Sequence, residues 1–349
     1  MIKITVAIPV YNVSRYVEKS LCSALNQDFQ DDYEVLVVDD CGTDDSMEIV
    51  HNVVANHTRG NIVRIIQHEK NKGLGPARNT SIENARGKYL FFLDSDDWIS
   101  TDCLSVLYKE AEAMNADAVV GSLYRVEEGS ERILGRNIYP YTIVDENAAG
   151  VYMLNHAPDM HIEVWNKLFR LDYLKTNEIG CVHRIFEDYN FDFKFRATAQ
   201  KVVLVPNITL FYNIRENSIL TELKAKKGSD ESMVTLCDIV NVLQRLTALY
   251  KDIPGIYDLY FQRLIWVFEN FKRYSYSPEQ WTYIQERLEG SQDYVPCIAS
   301  LSNSRNRFIY KKSRGKHGVD AFYCAIEATN SRIWRKINRM KLKIRGLFA

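Results

Sequence analysis

No stretch of this sequence approaches the roughly 18 to 20 consecutive apolar residues that a membrane-spanning helix needs. Charge of one sign is also lacking. Lys and Arg number 44 against 45 Asp and Glu, a formal net charge of −1, so nothing global points to nucleic acid or an acidic polymer as partner. The seven cysteines (22, 41, 103, 181, 237, 297 and 324) include no Cys-x-x-Cys pair. Odd in number and scattered, they argue for a reducing compartment and against a disulfide framework or a zinc site. Met1-Ile2-Lys3-Ile4 reads directly as a strand, with no secretory leader ahead of it. Neither G-x-G-x-x-G after the first strand nor G-x-x-x-x-G-K-[ST] occurs, so a dinucleotide fold and a P-loop are both unsupported. The expectation from these absences is a cytoplasmic protein.

What is there begins with an ordinary globular balance, 46% hydrophobic and 26% charged, over 349 residues. That length fits two domains better than one. The first half alternates two periods. Ile2 to Val10, Tyr33 to Val38, Ile62 to Gln67, Tyr89 to Leu93 and Asp117 to Val126 are short apolar runs that read as strands. Between them lie helical patterns: one capped by Ser14 with Val17, Leu21 and Leu25 on a face, one with Met47, Val50 and Val54, one opened by Pro76 and stopped at Gly87, and one from Thr101. Near-continuous apolar strands alternating with helices predict an α/β fold, a doubly wound, mostly parallel sheet with helices on both faces.

The chain is organised around Lys88 to Trp98, KYLFFLDSDDW. Where that buried strand ends, Asp94, Asp96 and Asp97 arrive within four residues, with Ser95 between them. Like charges at the end of a buried strand repel, and a fold keeps them together when a cation or a hydrogen-bonding ligand compensates. The carboxyl ends of strands in open α/β sheets are also where ligands bind. Pro9, Tyr11 and Asn12 follow the first strand, and Asp39 and Asp40 end the second, so all three sets share one rim. Each has a plain alternative: a solvated acidic turn, a turn aromatic at Tyr11, a helix-capping acid at Asp40, a solvated helix residue at Arg78. Convergence on one rim weighs against those alternatives.

PVYN (Pro9 to Asn12), VVDDCGTDDS (Val37 to Ser46), NKGLGPARN (Asn71 to Asn79) and FLDSDDW (Phe92 to Trp98) occur in the order and spacing of family-two glycosyltransferases of the GT-A fold, and WNKLF (Trp165 to Phe169) and FEDYNF (Phe186 to Phe191) resemble that family's acceptor-side and base motifs. The resemblance covers roughly residues 1 to 220, with Cys41-Gly42 standing where Gly-Ser is frequent and Gly75-Pro76 where a small pair is common. It implies a nucleotide-sugar-binding and catalytic domain at 1–222, with a donor half about 1–128 and an acceptor half about 129–222. Tyr11, beside Pro9, would stack on the nucleotide base. Asp40 and Asp39 would accept from a base imide, which suggests uracil. Lys72, Gly73 and Arg78 would lie along the base and diphosphate side of the pocket. Asp94 and Ser95 would reach the ribose or a metal-bound water, and Asp96 would bind Mg²⁺ or Mn²⁺, with Asp94 as second candidate ligand. Oxygen-only ligands exclude a soft metal. Asp188, beside Glu187, would be the base that takes the acceptor's proton, and Trp165, Asn166 and Lys167 would face the acceptor. The plain alternative for Glu187 and Asp188 is complementing a helix dipole, and for Trp165 a place in the core.

Beyond residue 222 the pattern changes. Residues 223–349 read as a mainly helical region, with a linker at Lys224 to Glu231 and helices at Ser232 to Tyr250, Gly255 to Tyr274 and Pro278 to Leu288. Ser331 to Ala349 carries seven basic residues and no acidic one, with Ile333, Ile337, Met340, Ile344 and Leu347 along one helical face. A basic amphipathic helix of this kind reads as a membrane-surface element; the alternative is a tail helix docked on its own domain. The resemblance to family-two glycosyltransferases thus implies a metal-dependent inverting transferase that moves a sugar from a UDP-sugar to a glycan or lipid-linked acceptor in surface-polysaccharide assembly. It would be peripheral at the cytoplasmic face of the inner membrane. The alternatives are a retaining or nucleotidyl-transferring enzyme on a similar sheet, and a non-catalytic binder of sugar nucleotides or glycans.

Overall fold

Strand Ile4–Val10 (β1) lies parallel between Tyr33–Asp39 (β2) and Tyr89–Phe92 (β4), and Val63–Gln67 (β3) extends the row beyond β2. Every residue of β1, β2 and β4 is buried, which is why these strands read as near-continuous apolar runs rather than as an alternation, with Thr5 and Glu34 bonded to each other at 2.8 Å as buried exceptions. The computed structural model describes residues 1–145, 160–182, 187–215, 229–260, 263, 264, 267 and 277–287. The chain forms two compact units, Met1–Ser218 and Ile219–Ala349.

In the first unit the sheet order is β3-β2-β1-β4-β9-β6-β10-β5. Trp98–Ile99 is β5, Ala118–Glu127 is β6, Ile133–Asn137 is β7, Thr142–Asp145 is β8, Lys167–Arg170 is β9 and Lys201–Ile214 is β10. Strand β9 is inserted antiparallel between β4 and β6, which makes the sheet mixed beyond its parallel first row. Its register pairs Phe91 with Leu168 and Ala118 with Phe169, so WNKLF enters the middle of the sheet.

Helices cover both faces, as the alternation predicts. Val17–Leu25 (α1), Ser46–Asn56 (α2) and Cys103–Met114 (α4) bury Val17, Leu21, Val50, Leu104 and Leu107 with Ile4, Val6, Val35 and Phe91. Leu74–Asn84 (α3), Leu171–Thr176 (α5) and Asp188–Thr198 (α6) supply Ile82, Leu171, Leu174, Phe191 and Phe195 to the opposite core with Ala7, Leu90, Phe92 and Phe169. At roughly 1.5–3 kcal/mol for each large apolar side chain buried, these two cores hold the rim residues against their mutual repulsion.

Three local expectations change. Ser14 does not cap α1: its backbone N–H donates to Asp44 Oδ2 at 2.9 Å, and the helix begins after Tyr16 with no side-chain cap. Pro76 is the third residue of α3, where its missing N–H is still one of the unbonded first-turn donors, and Gly73 at φ +96° starts the helix instead. Gly87 is not the helix stop, since α3 ends at Asn84. It is required because a Cβ there would meet Thr5 N at 2.5 Å and Ile4 C at 2.6 Å, in the crossover where Gly87 N donates to Thr5 Oγ1 at 2.9 Å.

In the second unit, Asp230–Leu249 (α7) is capped by Ser229, whose side chain accepts from Ser232 N, and Pro278–Arg287 (α8) follows later. Gln280 Nε2 donates to Asp230 Oδ1 at 2.6 Å, tying the two helices. The basic helix expected at Ser331 to Ala349, most of the linker at Lys224 to Glu231 and the latter part of the Gly255 to Tyr274 helix lie outside the described residues. Among the described residues no helix is long and apolar enough to cross a membrane.

Gly87→Ala must displace backbone, an overpacking cost of about 1–3 kcal/mol, and should lower the melting temperature by several degrees in a calorimetric scan. Gly135→Ala is the control, because its Cβ would meet only Arg125 side-chain atoms at 3.8–3.9 Å. Equal melting temperatures for the two variants would contradict the close approach.

Candidate active site

The site is built at the carboxyl ends of β1, β2 and β4, where three turns converge. Asp39 Oδ1 caps its own turn by accepting from Cys41 N at 2.9 Å, and Cys41 sits at φ +57°. Asp40 is buried. Its Oδ1 accepts from Lys72 N at 2.8 Å and pairs with His68 Nδ1 at 2.7 Å, while Oδ2 accepts from Gly73 N at 2.7 Å. Both of its oxygens serve protein donors. The carboxylate fixes the Lys72-Gly73 loop, and His68 Nε2 extends the chain to Thr80 Oγ1 on α3 at 2.9 Å. His68 carried no motif that would have singled it out. Tyr11, two residues after Pro9, is 46% exposed and leaves its ring at the rim.

After β4 the chain turns, with Asp97 N donating to Asp94 O at 3.0 Å. Asp94, Asp96 and Asp97 each bring a carboxylate oxygen to within 4.8 Å of the others. Burial pushes the Asp96 and Asp97 carboxyls above their ordinary range, Asp97 well above it, and the neighbouring carboxylates add to the rise. Asp97 Oδ1 accepts from Asn213 N at 2.8 Å, whereas its Oδ2 is buried with no hydrogen-bond partner among the described residues. A buried acceptor left without a donor, inside an all-oxygen cluster, fits a hard divalent cation. Asp97 was in plain view in the sequence as the third carboxylate but was not among the candidate ligands. Arg215 was missed altogether: its Nε donates to Asp96 Oδ2 at 2.6 Å, and no sequence pattern marks an arginine just past β10.

Arg78 is the largest surprise against its plain alternative. Far from a solvated helix residue, it has a side chain only 1% exposed. Its Nη2 donates to Asp94 Oδ1 at 2.9 Å, and its Nη1 donates to Asp188 Oδ1 at 2.8 Å and to Glu187. One guanidinium thus joins the carboxylate turn after β4 to the first residues of α6. Burial raises the Asp188 carboxyl well above its ordinary range; Arg78 opposes that rise, and Glu187, Glu163 and Asp94 add to it. Glu187 is raised by burial in the same way, against Arg78. The Asp188 side chain is 17% exposed and the Glu187 side chain 8%, so Asp188 is the more accessible of the two.

The residues expected to face an acceptor lie inside the wall. The Trp165 ring is buried and stacked on His161 (centroids 4.6 Å apart) and on Tyr212 (5.3 Å). Asn166 is fully buried at φ +57°, with Nδ2 donating to Gly121 O at 2.7 Å and Oδ1 accepting from Thr209 at 2.6 Å. Lys167 is buried, and its Nζ donates to Glu163 O. Desolvation pushes its pKa down to about 7, with Glu163 and Asp192 opposing the fall. The core reading of Trp165 therefore holds in this structure, and Lys167, the first residue of the central strand β9, and Asn166 just before it share it.

Residues 5–176 match the family described as Glycosyl transferase family 2. The chain is 33% identical over 255 residues to glycosyltransferase GlyA of Streptococcus pneumoniae, covering 71% of this chain and 34% of GlyA. To glycosyltransferase GlyG of the same organism it is 29% identical over 273 residues, 71% of this chain and 87% of GlyG. To the Staphylococcus aureus poly(ribitol-phosphate) beta-N-acetylglucosaminyltransferase TarS it is 29% identical over 216 residues, 61% of this chain. The chain spans about a third of the length of GlyA and of TarS, at 34% and 35%. The crystal structure of S. aureus TarS 1-349 in complex with UDP-GlcNAc superposes with a TM-score of 0.70 at 22% identity, covering 94% of this chain and 91% of that one, a likeness of fold.

Two variants test the electrostatics. Removing one partner of a buried ionic cluster costs about 3–5 kcal/mol, so Arg78→Met should be severely destabilised at neutral pH. Without Arg78 the burial that raises the Glu187 and Asp188 carboxyls acts unopposed, so stability is lost as pH rises; melts at pH 4 and pH 7 should show the deficit growing with pH. Lys167 has the opposite sign. A lysine whose pKa falls from 10.5 unfolded to about 7 folded costs stability as pH drops through that window. Lys167→Met should therefore raise the melting temperature most at pH 7 and below, with the gain vanishing near pH 10. A pH-independent difference would contradict the desolvation of the Lys167 amine.

Proposed function

Because this chain belongs to glycosyl transferase family 2, we propose that it is an inverting, metal-dependent transferase that moves a hexosyl or N-acetylhexosaminyl unit from a UDP-sugar to a glycan or lipid-linked glycan in surface-polysaccharide synthesis. The observation that carries the reading is Arg78, which ties Asp94 on the donor rim to Glu187 and Asp188 at the head of α6. Relatives named as glycosyltransferases, and a TarS complex with UDP-GlcNAc, support the donor class. We assign the donor half to residues 1–128 and the acceptor half to 129–222, with 223–349 as a separate helical region. The acid-free basic run at Ser331 to Ala349 supports attachment to an anionic membrane surface.

In this reading Asp94, Asp96 and Asp97 would hold Mg²⁺ or Mn²⁺, which as a Lewis acid would supply charge stabilisation to the departing diphosphate. Tyr11 offers its exposed ring to the base, and the loop fixed by Asp40 forms the adjoining wall with Lys72 and Gly73. Asp188 takes the acceptor hydroxyl's proton on Oδ2 while Oδ1 remains on Arg78. One base suffices because the diphosphate leaves without needing a proton, unlike glycoside hydrolysis with its pair of carboxyl groups. Glu187, more deeply buried and also bound by Arg78, fixes the guanidinium rather than receiving the proton.

Asp188→Asn should lower turnover by roughly 10²- to 10⁴-fold with little change in UDP affinity by calorimetry; an equal loss of UDP affinity would give Asp188 a donor-side role instead. Because its carboxyl is raised, the acid limb of kcat/KM should lie above the ordinary Asp value of about 3.9, with activity falling as pH drops through the raised pKa. A profile flat down to about pH 4 would contradict Asp188 as base. Failure of a panel of UDP-sugars to yield any transfer or hydrolysis would favour a non-catalytic binder.

A further inference from the structure

Asn213 near the end of β10 and Arg215 just past it hold the carboxylate turn. Asn213 N donates to Asp97 Oδ1 at 2.8 Å, and Arg215 Nε donates to Asp96 Oδ2 at 2.6 Å. The Arg215 guanidinium is also seated over the Tyr16 ring, with Cζ 5.1 Å from the centroid, and its side chain is 13% exposed. Tyr16 is itself fixed, since its hydroxyl donates to Glu128 Oε1 at 2.6 Å. We propose that Arg215 is a competing counter-ion that couples cation binding to diphosphate binding: it holds Asp96 until a nucleoside diphosphate offers it a better anion.

The argument is one of shared charge. An oxygen of Asp96 that accepts a charge-assisted bond at 2.6 Å gives less to a second cation, and two cations on one carboxylate repel each other. A divalent ion alone therefore has to displace the guanidinium from Asp96, breaking a charge-assisted bond of 2.6 Å. A diphosphate brings oxygens in the geometry that a guanidinium fork matches in bidentate fashion, so it relieves that cost. Each ligand thus favours the other by the same factor. The consequence is that the pocket fills with cation and nucleotide together, which restrains futile occupation by metal ions alone. The inference rests on the reading of Asp94, Asp96 and Asp97 as the cation site.

Calorimetry on the full chain tests it, with Mn²⁺ alone, UDP alone and UDP at saturating Mn²⁺, for wild type, Arg215→Ala, Arg215→Lys and Asp96→Asn. In Arg215→Ala, Mn²⁺ alone should bind about tenfold tighter and UDP with Mn²⁺ about tenfold weaker, so their mutual enhancement collapses. Arg215→Lys should restore part of both, which separates a charge effect from misfolding. Should Asp96→Asn leave Mn²⁺ binding intact, the cation-site reading itself fails. Loss of Mn²⁺ binding in Asp96→Asn, with unchanged or weaker Mn²⁺ binding in Arg215→Ala, keeps that site and overturns the role of Arg215.

Discussion

A guanidinium with 1% of its side chain exposed stays charged in a protein interior only where anions surround it, and Arg78 is surrounded by three. The cluster has to be complete. With Arg78 in place, Asp94, Glu187 and Asp188 can be brought together at the junction of β4 and α6; without it each is a carboxylate in its neighbours' field, Glu187 buried and the other two partly so. The position of Arg78 follows from α3, whose start is set by Gly73 at positive φ and by Asp40 gripping the backbone of Lys72 and Gly73. A helix shifted by one residue would turn Arg78 by about 100° and break the cluster, so the glycine and the buried aspartate act on the site through the helix.

The rest of the rim obeys the same constraint at smaller scale. Three carboxylates after β4 are held by Asn213 N, Arg215 and Arg78, donors that come from both later and earlier parts of the chain. Stability is given up where Asp97 keeps an oxygen buried without a donor among the described residues, and the two apolar cores on either face of the sheet supply the offset. That distribution, strain at the rim and saturation in the core, is what a ligand-binding edge of an α/β sheet requires.

Most of the parallel row and both helix layers were legible from period alone, because strands buried on two faces leave continuous apolar runs. The carboxylate turn was legible for the same reason: its charges begin where such a run stops. What escaped was long-range. Nothing in Lys167 to Arg170 says that the segment enters the sheet antiparallel between β4 and β6, so Trp165, Asn166 and Lys167 were expected on a surface they do not reach. Arg78 and Arg215 each look like a solvated residue until the fold brings carboxylates from 110 and 119 positions away. Ser14 and Pro76 misled at a finer grain, since cap and first-turn preferences are worth about 1 kcal/mol and yield to tertiary bonds.

The claim that a single buried guanidinium couples Asp94 after β4 to Asp188 at the head of α6 is tested most directly by a double-mutant cycle. Asp94→Asn, Asp188→Asn and the double variant would be unfolded in denaturant in the presence of chelator, so that metal binding does not enter. Two carboxylates sharing Arg78 should be non-additive, with a coupling energy of at least about 1 kcal/mol, against the 0.3–0.5 kcal/mol scatter expected of independent sites. Additivity within that scatter would show that Asp94 and Asp188 do not act through one cation, and would contradict the account.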